Sequence, residues 1–141
     1  MLSNQTTNIK YCESCGTNCS VCISTSNCVA CTNSSSLYQG VCLTSCPDTT
    51  YNLKGVCSNC SFPCYTCQAS DICLSCVTGY YIISNSCLRI CPSGFYASDQ
   101  YCQPCNPICE LCNDGSSNCL TCASGYFKNS NGTCSQTCGF G

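Results

Sequence analysis

Histidine and tryptophan are absent from this 141-residue chain, methionine occurs once, and lysine and arginine together number four. Without histidine, no side chain has an ordinary pKa suited to acid–base work or proton shuttling near pH 7. No glycine-rich phosphate cradle occurs, and Glu13, Asp48, Asp71, Asp99, Glu110 and Asp114 fall at unrelated positions. No catalytic constellation assembles, so neither an enzyme nor a bound cofactor or metal is expected. Lys10, Lys54, Arg89 and Lys128 are scattered singly, which leaves no basic stripe to neutralise phosphates or to dock on an anionic membrane. Nucleic acid is not an expected partner.

Long hydrophobic runs are also missing. The nearest approach is the short stretch 80–83, far below the ~18 residues that a membrane span requires. The first ten residues have neither the basic start nor the apolar centre of a signal peptide, so a mature chain or a piece of something longer is expected.

Cysteine, by contrast, fills 24 positions, and its spacing is metrical. The pattern C-x2-C-x3-C-x2-C-x5-C-x2-C-x10-C-x3-C runs from Cys12 to Cys46 and recurs without change from Cys57 to Cys91. A third copy, Cys102 to Cys138, carries one extra residue between Cys112 and Cys119 and one between Cys122 and Cys134. Periods of this size mark arrays of small units. The chain therefore reads as an N-terminal segment, 1–11, and repeats over 12–56, 57–101 and 102–141.

Each repeat is too small to offset chain entropy by burial alone, roughly 40 residues being the size below which disulfides or metals become necessary. The 44% hydrophobic content includes the cysteines, and without them little more than a quarter of the residues are apolar. Two chemistries use many C-x-x-C pairs. Zinc knuckles are typically separated by ~12 to 20 residues, whereas Cys12/Cys15 and Cys19/Cys22 lie three residues apart and no histidine is present as a mixed ligand. Disulfides are the favoured reading. C-x-x-C redox catalysis needs an exposed low-pKa thiolate beside a helix, and here the pair recurs in every repeat of a loop-rich frame, so structural use is expected.

Five Asn-x-Ser/Thr sequons occur, at Asn4, Asn18, Asn33, Asn59 and Asn131. Asn18 and Asn59 each precede a cysteine inside a tight knot and are the poorer glycan acceptors. With an even cysteine count, the sequons favour an oxidising, extracellular or cell-surface setting and N-linked glycans. Within each x10 gap, 36–41, 79–83 and 125–127 place aromatic or aliphatic residues beside turn formers, which predicts two short strands and a turn. The expected job of these rings is to cover disulfides and pack one unit on the next, with ligand stacking as the alternative.

The third repeat reads Cys105-Asn-Pro-Ile-Cys109-Glu-Leu-Cys112, then Cys119-Leu-Thr-Cys122-Ala-Ser-Gly125-Tyr126-Phe127. The second ends Cys91-Pro92-Ser93-Gly94-Phe95-Tyr96. These runs resemble the furin-like cysteine-rich repeats of proprotein convertases, R-spondins and growth-factor-receptor ectodomains. The Asn/Ser/Thr-rich filler is similar to that of cysteine-rich surface proteins of ciliates and other protists. No protease, kinase or ligand-binding domain accompanies the repeats, so only the scaffold carries over.

The resemblance implies an offset bonding frame. In it Cys15 pairs Cys22, Cys19 pairs Cys28, Cys31 pairs Cys42 and Cys46 pairs Cys57. The same order continues with Cys60–Cys67, Cys64–Cys73, Cys76–Cys87 and Cys91–Cys102, then Cys105–Cys112, Cys109–Cys119 and Cys122–Cys134. Spacing alone allows a rival, self-contained frame with Cys12–Cys19, Cys15–Cys22, Cys28–Cys42 and Cys31–Cys46. The offset frame leaves Cys12 and Cys138, expected either because the chain is cut from a longer array or because Cys138 of one copy bonds Cys12 of the next. The ending after Cys138 reads as the start of another hairpin.

The fold class expected is small and disulfide-rich, an elongated rod of three tandem cysteine-rich repeats with short β-hairpins and little regular secondary structure. The function expected is an extracellular structural or adhesive element, assembling with itself head to tail. The alternative is a receptor-ectodomain module that binds a protein ligand.

Overall fold

The computed structural model describes residues 14–138; Cys12, Asn4 and the segment 1–11 lie outside the described residues. Sixteen short strands and no helix make up its regular structure. The chemistry behind this is simple. A chain with a cysteine every few residues and turn formers between them can neither nucleate a helix nor bury a helical stripe, but it can close tight hairpins.

Each repeat begins with a hairpin that spans its own cysteine knot. In the first repeat this is β1 (Cys19–Ser24) with β2 (Asn27–Cys31). The two strands of the first x10 gap follow, β3 (Ser36–Tyr38) and β4 (Val41–Leu43), and then β5 (Thr50–Leu53) and β6 (Val56–Asn59). The second repeat has the same six elements at the 45-residue period. They are β7 (Cys64–Ala69), β8 (Ile72–Cys76), β9 (Tyr81–Ile83), β10 (Ser86–Leu88), β11 (Phe95–Ser98) and β12 (Tyr101–Pro104). The third contributes β13 (Cys109–Cys112), β14 (Cys119–Cys122), β15 (Phe127–Lys128) and β16 (Cys134–Ser135).

Strand pairing thus extends beyond the hairpins expected in the x10 gaps, because the knots are hairpins too. Their cysteines sit three apart, and a regular strand sends residues three apart to opposite faces. All three knot hairpins resolve this with register irregularities, between Cys19 and Cys22, between Cys64 and Cys67, and between Cys109 and Cys112. A bulge resets the alternation and increases local twist.

In two repeats the second hairpin joins the first through a parallel pairing, Leu37 with Val56 and Ile82 with Tyr101. The resulting sheet orders are β4-β3-β6-β5 and β10-β9-β12-β11. Leu37 N–H donates to the Gly55 carbonyl and Ile82 N–H to the Gln100 carbonyl, both at 2.8 Å. The backbone grid repeats as faithfully as the cysteines. Cys28, Cys73 and Cys119 each donate their N–H to a carbonyl in the turn of the following hairpin, those of Gly40, Asn85 and Gly132, at 2.8, 2.8 and 3.1 Å. The turn residues Gln39 and Gly40 have φ of 49° and 79°, and Ser84 and Asn85 have 49° and 62°, as two-residue hairpin turns require. Gly40 has a steric reason as well, since a Cβ there would stand 2.7 Å from Asn27 Oδ1.

The described chain groups into two compact units, residues 14–46 with Asn52–Cys57, and Pro47–Tyr51 with 58–138. The boundaries drawn at 56/57 and 101/102 from cysteine counting are each crossed by a disulfide, Cys46–Cys57 and Cys91–Cys102.

Candidate functional site

Sulfur forms the interior. Among the described residues eleven of apolar type are buried, and every one is a cysteine; ten of them lie in the second unit. There Cys64, Cys67, Cys73, Cys76 and Cys87 make one cluster, packed against Tyr51, Tyr80 and Ile82. Cys109, Cys112, Cys119 and Cys134 make another, packed against Tyr96, Ile108 and Tyr126. The pattern is the same in both knots. One ring comes from the second hairpin of the preceding repeat (Tyr51, Tyr96), and the other follows the knot's own second strand (Tyr80, Tyr126). Aromatic area thus does what the absent aliphatic core would do, and it ties each knot to the repeat before it.

Among the described residues, no tyrosine gives the first knot that cover. Ser35 stands 45 residues before Tyr80, and Cys28 is the one buried cysteine among the described residues of the first unit. Ser35 Oγ is buried with no hydrogen-bond partner among the described residues.

Eleven disulfides join cysteines among the described residues. Cys15–Cys22, Cys60–Cys67 and Cys105–Cys112 interleave with Cys19–Cys28, Cys64–Cys73 and Cys109–Cys119 to form the knots. Cys31–Cys42, Cys76–Cys87 and Cys122–Cys134 tie each knot to its first hairpin. Cys46–Cys57 and Cys91–Cys102 brace the second hairpins, both with Cα atoms 5.5 Å apart. This is the offset arrangement; the self-contained frame would need Cys31 bonded to Cys46, and Cys31 is bonded to Cys42. Cys138 carries an exposed, unbonded thiol. Groups of three sulfurs lie close enough for metal ligation at Cys15, Cys19 and Cys22 and at Cys19, Cys28 and Cys42, but each of these cysteines is committed to a disulfide.

Of the sequons, Asn18, Asn33, Asn59 and Asn131 are exposed. The hydroxyl of Asn18's sequon is engaged, Ser20 Oγ donating to the carbonyls of Ala30 and Cys31. That of Asn33's sequon is the buried Ser35. At Asn131, Thr133 donates both its N–H (3.1 Å) and its hydroxyl (2.6 Å) to Asn131 Oδ1.

The second unit also bears an open groove of about 350 Å³, bordered by Tyr81, Phe95, Tyr96, Ile90 and Leu120, with Arg89 at its edge. Ile90 is 82% exposed there. Sequence reasoning did not anticipate this groove, because it forms between residues of two consecutive repeats; the apolar Ile90 before Cys91, where the first repeat has Ser45, was the available signal.

Among the described residues no helix is long and apolar enough to cross a membrane. So many disulfides fit a secreted or extracellular protein, the setting in which such bonds persist. Compared with known proteins, the chain matches no family model and no curated sequence.

Proposed function

We propose that this chain is an extracellular structural or adhesive element of a cell surface, coat or fibre, built from furin-like repeats. The observation that carries the reading is the bracing of every described repeat boundary by sulfur, Cys46–Cys57 and Cys91–Cys102. Each such bond makes the second hairpin of one repeat continuous with the knot of the next, where Tyr51 and Tyr96 pack. Cys138 occupies the repeat position of Cys46 and Cys91, both of which bond the first cysteine of the repeat that follows. In a head-to-tail assembly its partner is the first cysteine of the next copy, Cys12, and such a contact does not close, so it builds filaments. N-linked glycans at the exposed sequons suit this surface role.

Non-reducing electrophoresis and electron microscopy of the purified full chain test the reading. Disulfide-linked ladders and fibres that vanish with reductant, and that a Cys138→Ser variant fails to form, support it. A monodisperse monomer at high concentration overturns the head-to-tail assembly.

A second reading, a receptor-ectodomain module that binds a protein ligand, is favoured by one observation, the groove of Tyr81, Phe95, Tyr96, Ile90 and Leu120. An Ile90→Asp variant that keeps its fold and its assembly but loses cell binding selects this reading over the first.

A further inference from the structure

The three disulfides around the first knot are near neighbours in series. The Sγ atoms of Cys28 and Cys42 stand 3.2 Å apart, although they belong to different bonds, Cys19–Cys28 and Cys31–Cys42. Neither sulfur carries a hydrogen, so this is a non-bonded approach of one disulfide to another. The sulfurs of Cys19, Cys28 and Cys42 all lie within 4.8 Å of one another, and so do those of Cys15, Cys19 and Cys22. Cys19 belongs to both groups. Among the described residues, the second and third knots hold no such group.

Access separates the knots as well. Cys31 and Cys42 are half-buried, whereas their counterparts Cys76 and Cys87 are 6% and 8% exposed, packed with Tyr80 and Ile82. Among the described residues, serine stands at 35 in place of the tyrosine, and Cys19, Cys28 and Cys42 border an open pocket of about 250 Å³.

We propose that the first knot is a thiol–disulfide exchange site, in which opening Cys31–Cys42 relocates a neighbouring bond. A dithiol reductant gives two electrons to Cys31–Cys42, leaves thiols on both cysteines and is itself oxidised to a disulfide. Cys42, as its thiolate, then attacks Cys28 Sγ. The Cys42–Cys28 bond forms, the Cys28–Cys19 bond breaks, and Cys19 leaves with the electron pair and takes up the proton that Cys42 gave away. This second step is redox-neutral. Cys28 N–H is hydrogen-bonded at 2.8 Å to the carbonyl of Gly40, two residues before Cys42, which holds the two strands side by side. The free thiol ends on Cys19, beside Cys15 and Cys22.

Limited reduction of the native full-length chain with a dithiol, quenched by alkylation at successive times and mapped without further reduction, tests the exchange. The expected result is an alkylated pair that changes from Cys31 and Cys42 to Cys31 and Cys19, with a Cys28–Cys42 linked peptide appearing in step. A pair that stays Cys31 and Cys42 throughout overturns the proposal. Cys31→Ser and Cys76→Ser variants give an independent reading. In Cys31→Ser, the expected products are a Cys28–Cys42 peptide and an alkylated Cys19, while Cys76→Ser keeps Cys64–Cys73 and leaves Cys87 alkylated. An intact Cys19–Cys28 peptide in Cys31→Ser, or equal exchange in both variants, counts against a site peculiar to the first knot.

Discussion

The side-chain amide of Asn52 donates to Ser36 Oγ at 2.6 Å, while its own oxygen accepts the N–H of Gly55 at 2.8 Å. One side chain therefore closes the β5–β6 turn and satisfies the hydroxyl of Ser36 on β3, a residue that is 3% exposed. The period places Ala97 and Tyr81 at these two positions in the second repeat, so the same sheet topology forms there without this hydrogen bond. Replacing Asn52 with Ala removes the turn contact and strands a buried hydroxyl, at an expected cost of about 1–3 kcal/mol. Denaturant unfolding with disulfides intact measures it, and adding Ser36→Ala recovers part of the loss. An Asn52→Ala variant as stable as the parent contradicts the role assigned to this pair.

Ser35 is the converse case. Its hydroxyl is buried and unpartnered, so Ser35→Ala removes a desolvation penalty and keeps the small volume. The expected outcome is a gain of about 1 kcal/mol, the low end of what an unsatisfied buried polar group costs. A loss of stability on the same unfolding curve shows that the hydroxyl has a partner in solution.

Thr49 has φ of 69° where the next repeat has Gly94 at 84°. A β-branched residue in the left-handed region is strained by roughly 1–2 kcal/mol, more than the entropy cost of glycine in most settings. The carbonyls of Thr49 and Gly94 do the same job, accepting the N–H of Cys60 and of Cys105 at 2.8 Å. Thr49→Gly is expected to stabilise the chain by about 1 kcal/mol. A lower melting temperature for the variant rejects the strain argument.

Tyr80 covers the second knot and meets Phe62 edge to face, with ring centroids 5.4 Å apart. Tyr80→Ser imposes on this knot the residue that the first knot carries. It is expected to cost about 1–3 kcal/mol, less than truncation of a fully buried ring. Reduction of Cys76–Cys87 is expected to speed up towards the rate of Cys31–Cys42, read by timed alkylation. An unchanged rate means that something other than the ring shields these sulfurs.

Much of the fold was legible because cysteine spacing is a ruler. The hairpins at 36–43 and 81–88 fall where the x10 gaps place them, with turn formers between apolar residues. The strand character of the knots was not legible. Cysteines three apart contradict strand alternation, and only a register shift, which leaves no mark in composition, reconciles the two. The difference in cover between knots was readable at one position, serine at 35 against tyrosine at 80 and 126, but its consequence required the burial of each sulfur.

By itself the sequence determined that this protein is a cysteine-held array, since units so small and so poor in aliphatic residues need cross-links, and spacing without histidine favours disulfides over metal. It also set the period, and with it the place of the hairpins in the x10 gaps of the first two repeats. Tertiary structure alone decided which sulfur joins which, because two frames satisfy the same spacing and the choice depends on which Cα atoms come within bridging distance. The close approach of Cys28 to Cys42 and the roofing of one knot by a tyrosine from the preceding repeat belong to that second kind as well. Both depend on backbone hydrogen bonds that bring distant segments together, such as the one from Cys28 to Gly40.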